Sequence, residues 1–296
     1  LRAMSVCIAG SPDIISETAA LPKNDTIQAA EVLVSKGLIE EHTQDGRPFW
    51  CFTHQKLREY IYSSIPLSRR QELHRIAASA LEKRYSSRTW NPELSAAIRH
   101  HYTQSGDKAL ELKQYLRELV FDVTLNHDLF PTLPDKLLLS CSAPFSSRSE
   151  TERKISKVLT ILDKLRYSGE GGDEYALLEA TCFEIIGDYM VSWGEYDKGL
   201  IYINESAAIS RKNDFHEINI YCLKHLAYMY LQTENSTMLM KTARELLIAA
   251  KEANMPQYLA TAVRHIGMAY FMRLDFRLAE DIFLHSIELF KHLKLT

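Results

Sequence analysis

The sequence predicts a mainly α-helical protein, in which a small unit of mixed helix and strand precedes an array of helical hairpins. The 296 residues contain only 11 glycines and 9 prolines, whereas a sandwich or barrel needs a turn signal every 8–12 residues or so. Hydrophobic residues make up 46% and charged residues 25% of the chain, which is typical of a globular protein and excludes wholesale disorder. The chain is long enough for two or three structural units.

Residues 1–87 are predicted to form helices around one β-hairpin. Apolar residues at helical spacing predict the helices, and alternation around Asp45-Gly46 predicts the hairpin. Gly37 is placed to end the first helix. The predicted elements follow in this order: helix Thr26–Ser35, strands Leu38–Thr43 and Phe49–Phe52, helices His54–Ile65 and Ser68–Tyr85. This is the outline of a winged-helix domain.

Residues 88–148 are predicted to form a helical bridge. Asn91-Pro92 combines an N-cap residue with proline at the first helical position. Helices are expected over 92–104 and 107–125. Three prolines and several serines in 126–148 predict a connecting segment.

Residues 149–296 are predicted to form the repeat array, which opens with a helix from Ser149 to about Arg166. The sequence Ser149-Glu150-Thr151-Glu152 fits a capping box at the start of that helix. Downstream, a pattern of large and small residues recurs twice at a spacing of 40: Phe183, Ile186, Gly187, Met190; Leu223, Leu226, Ala227, Tyr230; Val263, Ile266, Gly267, Tyr270. Gly187 and Gly267 are expected to let paired helices approach closely. In the middle repeat, Leu239 and Ala243 place the second helix out of pattern.

This pattern resembles the tetratricopeptide repeat, although the period here is 40 residues and the family's period is about 34. The resemblance implies a superhelix whose concave face is lined by the first helix of each hairpin. It places on that face a candidate groove for a protein or peptide ligand: Glu184, Asp188, Tyr221, Lys224, Tyr228, Arg264, Met268 and Phe271. Lys224 and Arg264 are suited to a carboxylate or phosphate, with Tyr228, Met268 and Phe271 as apolar contacts. The alternatives are that these residues are merely solvated, or that the i, i+4 carboxylates Glu184 and Asp188 form a catalytic pair.

The first third carries a second resemblance. It is similar to the winged-helix region of signal-transduction ATPases with numerous domains, such as bacterial transcription regulators of the maltose-activator type. The residues that carry it are Leu33-Val34, Gly37-Leu38-Ile39, Phe52-Thr53-His54, Leu57-Arg58, Ile61-Tyr62, Arg70, Leu73-His74, Ile76-Ala77 and Leu81-Glu82. The resemblance implies that His54 senses nucleotide in a full-length protein; the alternative is a capping or core histidine. The chain has no GxxxxGK[ST] motif, so an ATP- or ADP-binding core would have to lie in a longer parent protein. The start at Leu1 within an apolar segment also suggests a fragment.

Charge argues against DNA reading by the winged-helix region. Residues 1–87 hold 11 Lys and Arg against 10 Asp and Glu, and Thr26–Ser35 has no basic residue, whereas a recognition helix is normally basic. No run approaches the 18 or so apolar residues of a membrane helix, and the five scattered cysteines predict reduced thiols in a cytoplasmic protein. No metal-ligand spacing or catalytic motif is present in the sequence, so neither a metal, nor a bound cofactor, nor enzymatic activity is expected.

The sequence therefore predicts the regulatory, signal-sensing part of a signal-transduction ATPase of the transcription-regulator type. A stand-alone scaffold that binds a peptide or protein is the first alternative, and an enzyme is the second.

Overall fold

A computed structural model describes residues 1–7, 9–44, 46–83, 91–127, 147–169 and 172–294. These residues divide into two compact units, Leu1–Gln114 and Tyr115–Thr296. Helices dominate both units, and the described sheet is small, so the predicted mainly α fold class is confirmed. The connection expected over 126–148 falls almost entirely outside the described residues.

The first unit surrounds a β-hairpin with helices. Its elements in chain order are α1 (Arg2–Cys7), β1 (Ala9–Gly10), α2 (Pro12–Ala19), α3 (Lys23–Ser35), β2 (Ile39–Gln44), β3 (Arg47–Phe52), α4 (Gln55–Ser64), α5 (Leu67–Glu82) and α6 (Pro92–Ser105). Helix α7 (Lys108–His127) begins in this unit and ends in the second. All predicted helices and both predicted strands are present, with ends shifted by up to three residues.

The three strands form an antiparallel sheet in the order β1-β3-β2. One face of the hairpin supplies Ile39 and Trp50 to a core that also contains Met4, Ile15 and Ala30. The other face carries residues that alternate with these, as the two-residue period of a strand requires. The packing leaves a cavity of about 660 Å³ in this unit, with largely apolar walls.

Two buried histidines join α5 to α6. The Nδ1 atoms of His74 and His101 lie 2.8 Å apart, and the Tyr62 hydroxyl lies 3.0 Å from His74 Nε2. Burial, followed by the neighbouring imidazoles, lowers the pKa of His101 to about 3, and burial, His100 and Arg70 lower that of His74 to about 4. Both rings are therefore neutral at pH 7, and the Nδ1–H of one ring donates a hydrogen bond to the unprotonated Nδ1 of the other.

The described part of the second unit contains the end of α7 and seven further helices. These are α8 (Arg148–Ser168), α9 (Gly172–Ser192), α10 (Tyr196–Lys212), α11 (His216–Gln232), α12 (Ser236–Glu252), α13 (Pro256–Met272) and α14 (Phe276–His292). Each helix from α10 to α14 has 17 residues, and each of α11 to α14 begins 20 residues after the previous one. Two such helices make one hairpin, which accounts for the 40-residue sequence period.

The turns repeat at half that period. At 20-residue intervals, one residue per turn adopts a left-handed backbone conformation: Gly194, Asp214, Glu234, Asn254, Leu274 and Lys294. In the first five of these turns, the following residue donates its backbone N–H to a carbonyl five residues earlier, such as Glu195 to Met190. This bond closes the helix end as in a Schellman motif. Turns within hairpins and turns between hairpins therefore have the same geometry.

Small residues allow the two helices of the first hairpin, α9 and α10, to pack closely. A Cβ on Gly187 would lie 2.5 Å from Ile203 Cγ1, and one on Gly199 would lie 2.6 Å from Val191 Cγ2. The predicted close approach at Gly187 and Gly267 is thus present, although at Gly267 the opposing group is the ring of Phe283, 2.8 Å away.

The middle repeat keeps a regular second helix, which corrects the expectation that α12 is out of pattern. Leu239 and Ala243 are both fully buried. Leu239 packs beside Ala227 and Ala269, so a large residue one turn earlier compensates for the small residue at 243.

The capping box of α8 begins at Ser147, two residues before the predicted Ser149. Helix α8 is capped by Ser147, whose hydroxyl accepts from the Glu150 amide while the Glu150 carboxylate accepts from the Ser147 amide.

Among the described helices, none is both long and apolar enough to cross a membrane.

Candidate functional site

The first helices of the three hairpins, α9, α11 and α13, pack against one another in succession. They carry the predicted groove residues at equivalent positions: Glu184 and Asp188 on α9, Lys224 and Tyr228 on α11, Arg264 and Met268 on α13. We call these six residues, with Tyr221 and Phe271, the first-helix face. The structure places all eight in the second unit, and their role in binding stays a prediction.

A buried histidine that the sequence did not single out organises the acidic end of this face. His225 on α11 reaches back to α9, where its Nε2 lies 2.6 Å from Glu184 Oε1 and its Nδ1 lies 2.8 Å from Asp188 Oδ1. Glu184 and His225 are both buried and Asp188 is half-buried. The i, i+4 spacing of the carboxylates on one helix turn matches the two nitrogens of one ring.

This arrangement requires a protonated imidazole. An ionised carboxylate only accepts hydrogen bonds, so both ring nitrogens must donate. Burial lowers the pKa of His225, but the charge of Asp188 and the hydrogen bonds to both carboxylates outweigh burial and raise it to about 9. Glu184 and Asp188 are therefore engaged in a three-residue ionic cluster and do not form an open pair of carboxylates.

The opposite electrostatics hold one repeat further on. His265 stands 40 residues after His225, and its pKa is lowered to about 3 by burial and by the positive charges of Arg264 and Lys224. His265 is therefore neutral between two cations. Along the first-helix face, the charge changes from acidic on α9 to basic on α11 and α13.

Aromatic and apolar side chains accompany the basic end. The Tyr221 ring packs on Tyr258 with centroids 5.4 Å apart, and the Phe271 ring packs on Phe276 with centroids 5.5 Å apart. Phe271 is 55% exposed, whereas Tyr228 and Met268 are half-buried. The guanidinium of Arg264 lies over the ring of Phe290, 5.7 Å from its centroid.

His54 is the predicted nucleotide-sensing residue, and it lies in the first unit at the N-cap of α4. Its side chain makes no capping hydrogen bond and is exposed. Both alternative roles, capping and core packing, are therefore absent in this structure, and the sensing role stays a prediction.

The sequence spacing indicates that His225 can pair with Glu184 and Asp188. An acidic pair at i, i+4 is followed, one repeat later and one residue out of register, by a histidine. His74 and His101 offered a weaker signal, because their pairing depends on how α5 and α6 pack.

No protein-family model matches this sequence, and no curated protein matches it. A solved structure is similar in fold: a Signal Transduction ATPase with Numerous Domains (STAND) protein with a tetratricopeptide repeat sensor, from Pyrococcus horikoshii. The TM-score is 0.55 at 13% sequence identity, and the similarity covers 99% of this chain. This chain spans 44% of the length of that structure. At this identity the similarity concerns the fold: a helical repeat protein of the tetratricopeptide type.

Proposed function

We propose that this chain is the sensor and regulatory region of a signal-transduction ATPase, in which the repeat array binds an acidic peptide or protein partner through the first-helix face. The observation that carries the proposal is the charge change along that face, which occurs within a fold shared with a STAND repeat sensor. A surface that is acidic at one end and basic at the other fixes the direction of a bound chain.

The binding chemistry resides in Lys224, Arg264 and the apolar groups beside them. A carboxylate or phosphate of the partner would pair with the two cations, and a neighbouring apolar side chain would contact Phe271 and Met268. The Glu184–His225–Asp188 cluster pairs two carboxylates with one imidazolium, so it joins α9 to α11 and keeps one net negative charge at the acidic end of the face.

Regulation would follow as a shift between two arrangements of the parent protein. A partner that binds one arrangement better shifts the equilibrium by its difference in affinity. The exposed His54, at the start of α4, is the residue through which we propose that the first unit meets nucleotide in the parent. Control of transcription is part of the same proposal.

The coding sequence upstream of Leu1 tests the link to an ATPase. A P-loop strand and helix in the same reading frame would support the regulator, whereas its absence would overturn that part and leave a scaffold that binds peptides. Substitution of His54 by alanine in the ATP-binding parent should accelerate ADP release; an unchanged rate would remove His54 from the nucleotide site.

A further inference from the structure

The outer face of the β-hairpin brings together three side chains that no sequence motif connects. Glu40 and His42 stand two residues apart on β2, and Cys51 on β3 is the direct partner of Glu40 in the strand register. All three therefore project from the same face, opposite the face on which Trp50 packs into the core. The carboxylate, imidazole and thiol ligand atoms lie within 4.8 Å of one another, and Glu40 Oε2 lies 3.3 Å from His42 Nε2.

We propose that Glu40, His42 and Cys51 bind a zinc ion. Thiolate, imidazole and carboxylate are the three ligand types that Zn²⁺ takes in proteins, at about 2.0–2.3 Å. Tetrahedral bonds of that length separate neighbouring ligand atoms by roughly 3.3–3.8 Å, so the Glu40–His42 distance of 3.3 Å already fits, and the Cys51 sulfur lies within 4.8 Å of both other ligand atoms. Three protein ligands leave the fourth position to water.

The surroundings support these positions. Cys51 lies on the central strand, paired with Glu40 on one side and Ala9 on the other, so its backbone is fixed. The His42 ring stacks on Phe49 with centroids 5.4 Å apart and an interplanar angle of 28°. Because these contacts already restrict the Cys51 backbone and the His42 side chain, metal binding costs less conformational entropy.

Zinc binding at this place also has a defined proton balance. A cysteine thiol has an ordinary pKa of about 8.5 and is mostly protonated near neutral pH, so Cys51 releases its proton to solvent when the S–Zn bond forms. Glu40 and His42 bind as carboxylate and neutral imidazole. The bound ion joins β2 to β3 and should stabilise the hairpin.

Calorimetric titration of the tag-free, chelator-treated full chain with ZnCl₂ tests the proposal. We expect one ion per chain, affinity reduced at least tenfold in Glu40→Gln and about a hundredfold or more in His42→Ala and Cys51→Ser, since loss of even an outer partner costs about 10–100-fold. The controls His54→Ala and Cys7→Ser, which change another exposed histidine and another thiol of the first unit, should bind as the wild type does.

Cobalt as a probe identifies the thiolate directly. Co²⁺ added to the wild-type chain should give a thiolate-to-cobalt charge-transfer band that disappears in Cys51→Ser and persists in Cys7→Ser. Circular dichroism of each variant shows whether it has folded, and a conservative Cys51→Ala variant repeats the test if the serine variant has not. Absence of saturable zinc binding, or a band that survives both Cys51 substitutions, would overturn the proposal.

Discussion

His225 and His265 occupy the same position of consecutive repeats, 40 residues apart, and have opposite protonation states. His225 meets two carboxylates on α9, and its pKa is raised to about 9; His265 meets the charges of Arg264 and Lys224, and its pKa is lowered to about 3. One structural position thus holds an imidazolium in one hairpin and a neutral imidazole in the next. The two carboxylates on α9 hold His225 charged, whereas burial, Arg264 on the same helix and Lys224 on α11 keep His265 neutral.

The stability of the second unit should decrease as pH rises from 6.5 to about 9. The pKa of His225 is raised from 6.5 to about 9 on folding, so its contribution is complete below pH 6.5 and is lost as pH approaches 9. The loss should be on the order of 3 kcal/mol. Urea unfolding of the wild type and His225→Gln between these pH values measures it. The variant should be less stable at pH 6.5 and nearly independent of pH above it; an equal slope in both proteins would contradict the assigned protonation.

The first unit should respond to acid. The pKa values of His74 and His101 fall on folding from 6.5 to about 4 and about 3, so the unfolded chain binds more protons below pH 6.5 and stability decreases as pH falls. We expect a loss of at least about 2 kcal/mol on approaching pH 4. In a Trp90→Phe/Trp193→Phe background, the fluorescence of Trp50 during urea unfolding reports on this unit. In His101→Phe the loss should be smaller, and a loss of the same size would exclude the histidine pair as its cause.

Substitution of Gly187 by alanine should destabilise the second unit by about 1–3 kcal/mol. The new Cβ would meet both the Ile203 side chain at 2.5 Å and the Ile203 backbone nitrogen at 3.1 Å, and backbone yields less readily than a side chain. Gly267→Ala is the matched control, because its Cβ would meet the movable ring of Phe283. Thermal unfolding should therefore show a larger loss for Gly187→Ala; the reverse order would contradict the packing described.

Substitution of Leu274 by glycine should stabilise the protein by up to about 1 kcal/mol, since a left-handed conformation costs an L-residue roughly 1–2 kcal/mol. Leu274 has φ of 62° and is 74% exposed, so little packing is lost. Leu284→Gly, at an exposed position inside α14, should instead destabilise by about 1 kcal/mol. A fall in the melting temperature for both variants would show that the turn at Leu274 is not strained.

Local sequence patterns predicted the helices and the repeat of this fold, but not the charged and neutral states of its buried histidines. The 40-residue spacing of Phe183 and Leu223 is visible because large and small residues must alternate wherever two helices meet. Ser147 and Ser149 are each followed three residues later by glutamate, so the local sequence does not show which serine forms the capping box. Five of the six left-handed turn residues are not glycine and so carry no sequence signal. In four of these five turns, the backbone bond of the Schellman type holds the conformation in place.

The candidate sites depended on contacts between elements. Glu184 and Asp188 were identified from their spacing on one helix, but their partner His225 lies on the next hairpin. Glu40 and Cys51 become neighbours only through the strand register. Residues on different helices or strands form both clusters, so the periodicity of a single helix or strand cannot reveal them.

Peptide binding tests the central proposal most directly. An array of peptides that carry aspartate, glutamate or phosphoserine beside leucine or phenylalanine is probed with the wild type, with Lys224→Ala/Arg264→Ala, and with Lys241→Ala/Arg277→Ala, which removes two exposed cations from the second helices of the hairpins. We expect a set of acidic peptides to bind the wild type and the control at least tenfold more tightly than they bind Lys224→Ala/Arg264→Ala. Each charge-assisted hydrogen bond that this variant loses is worth about 1.5–3 kcal/mol. If no peptide distinguishes the wild type from Lys224→Ala/Arg264→Ala, the first-helix face is not the binding site.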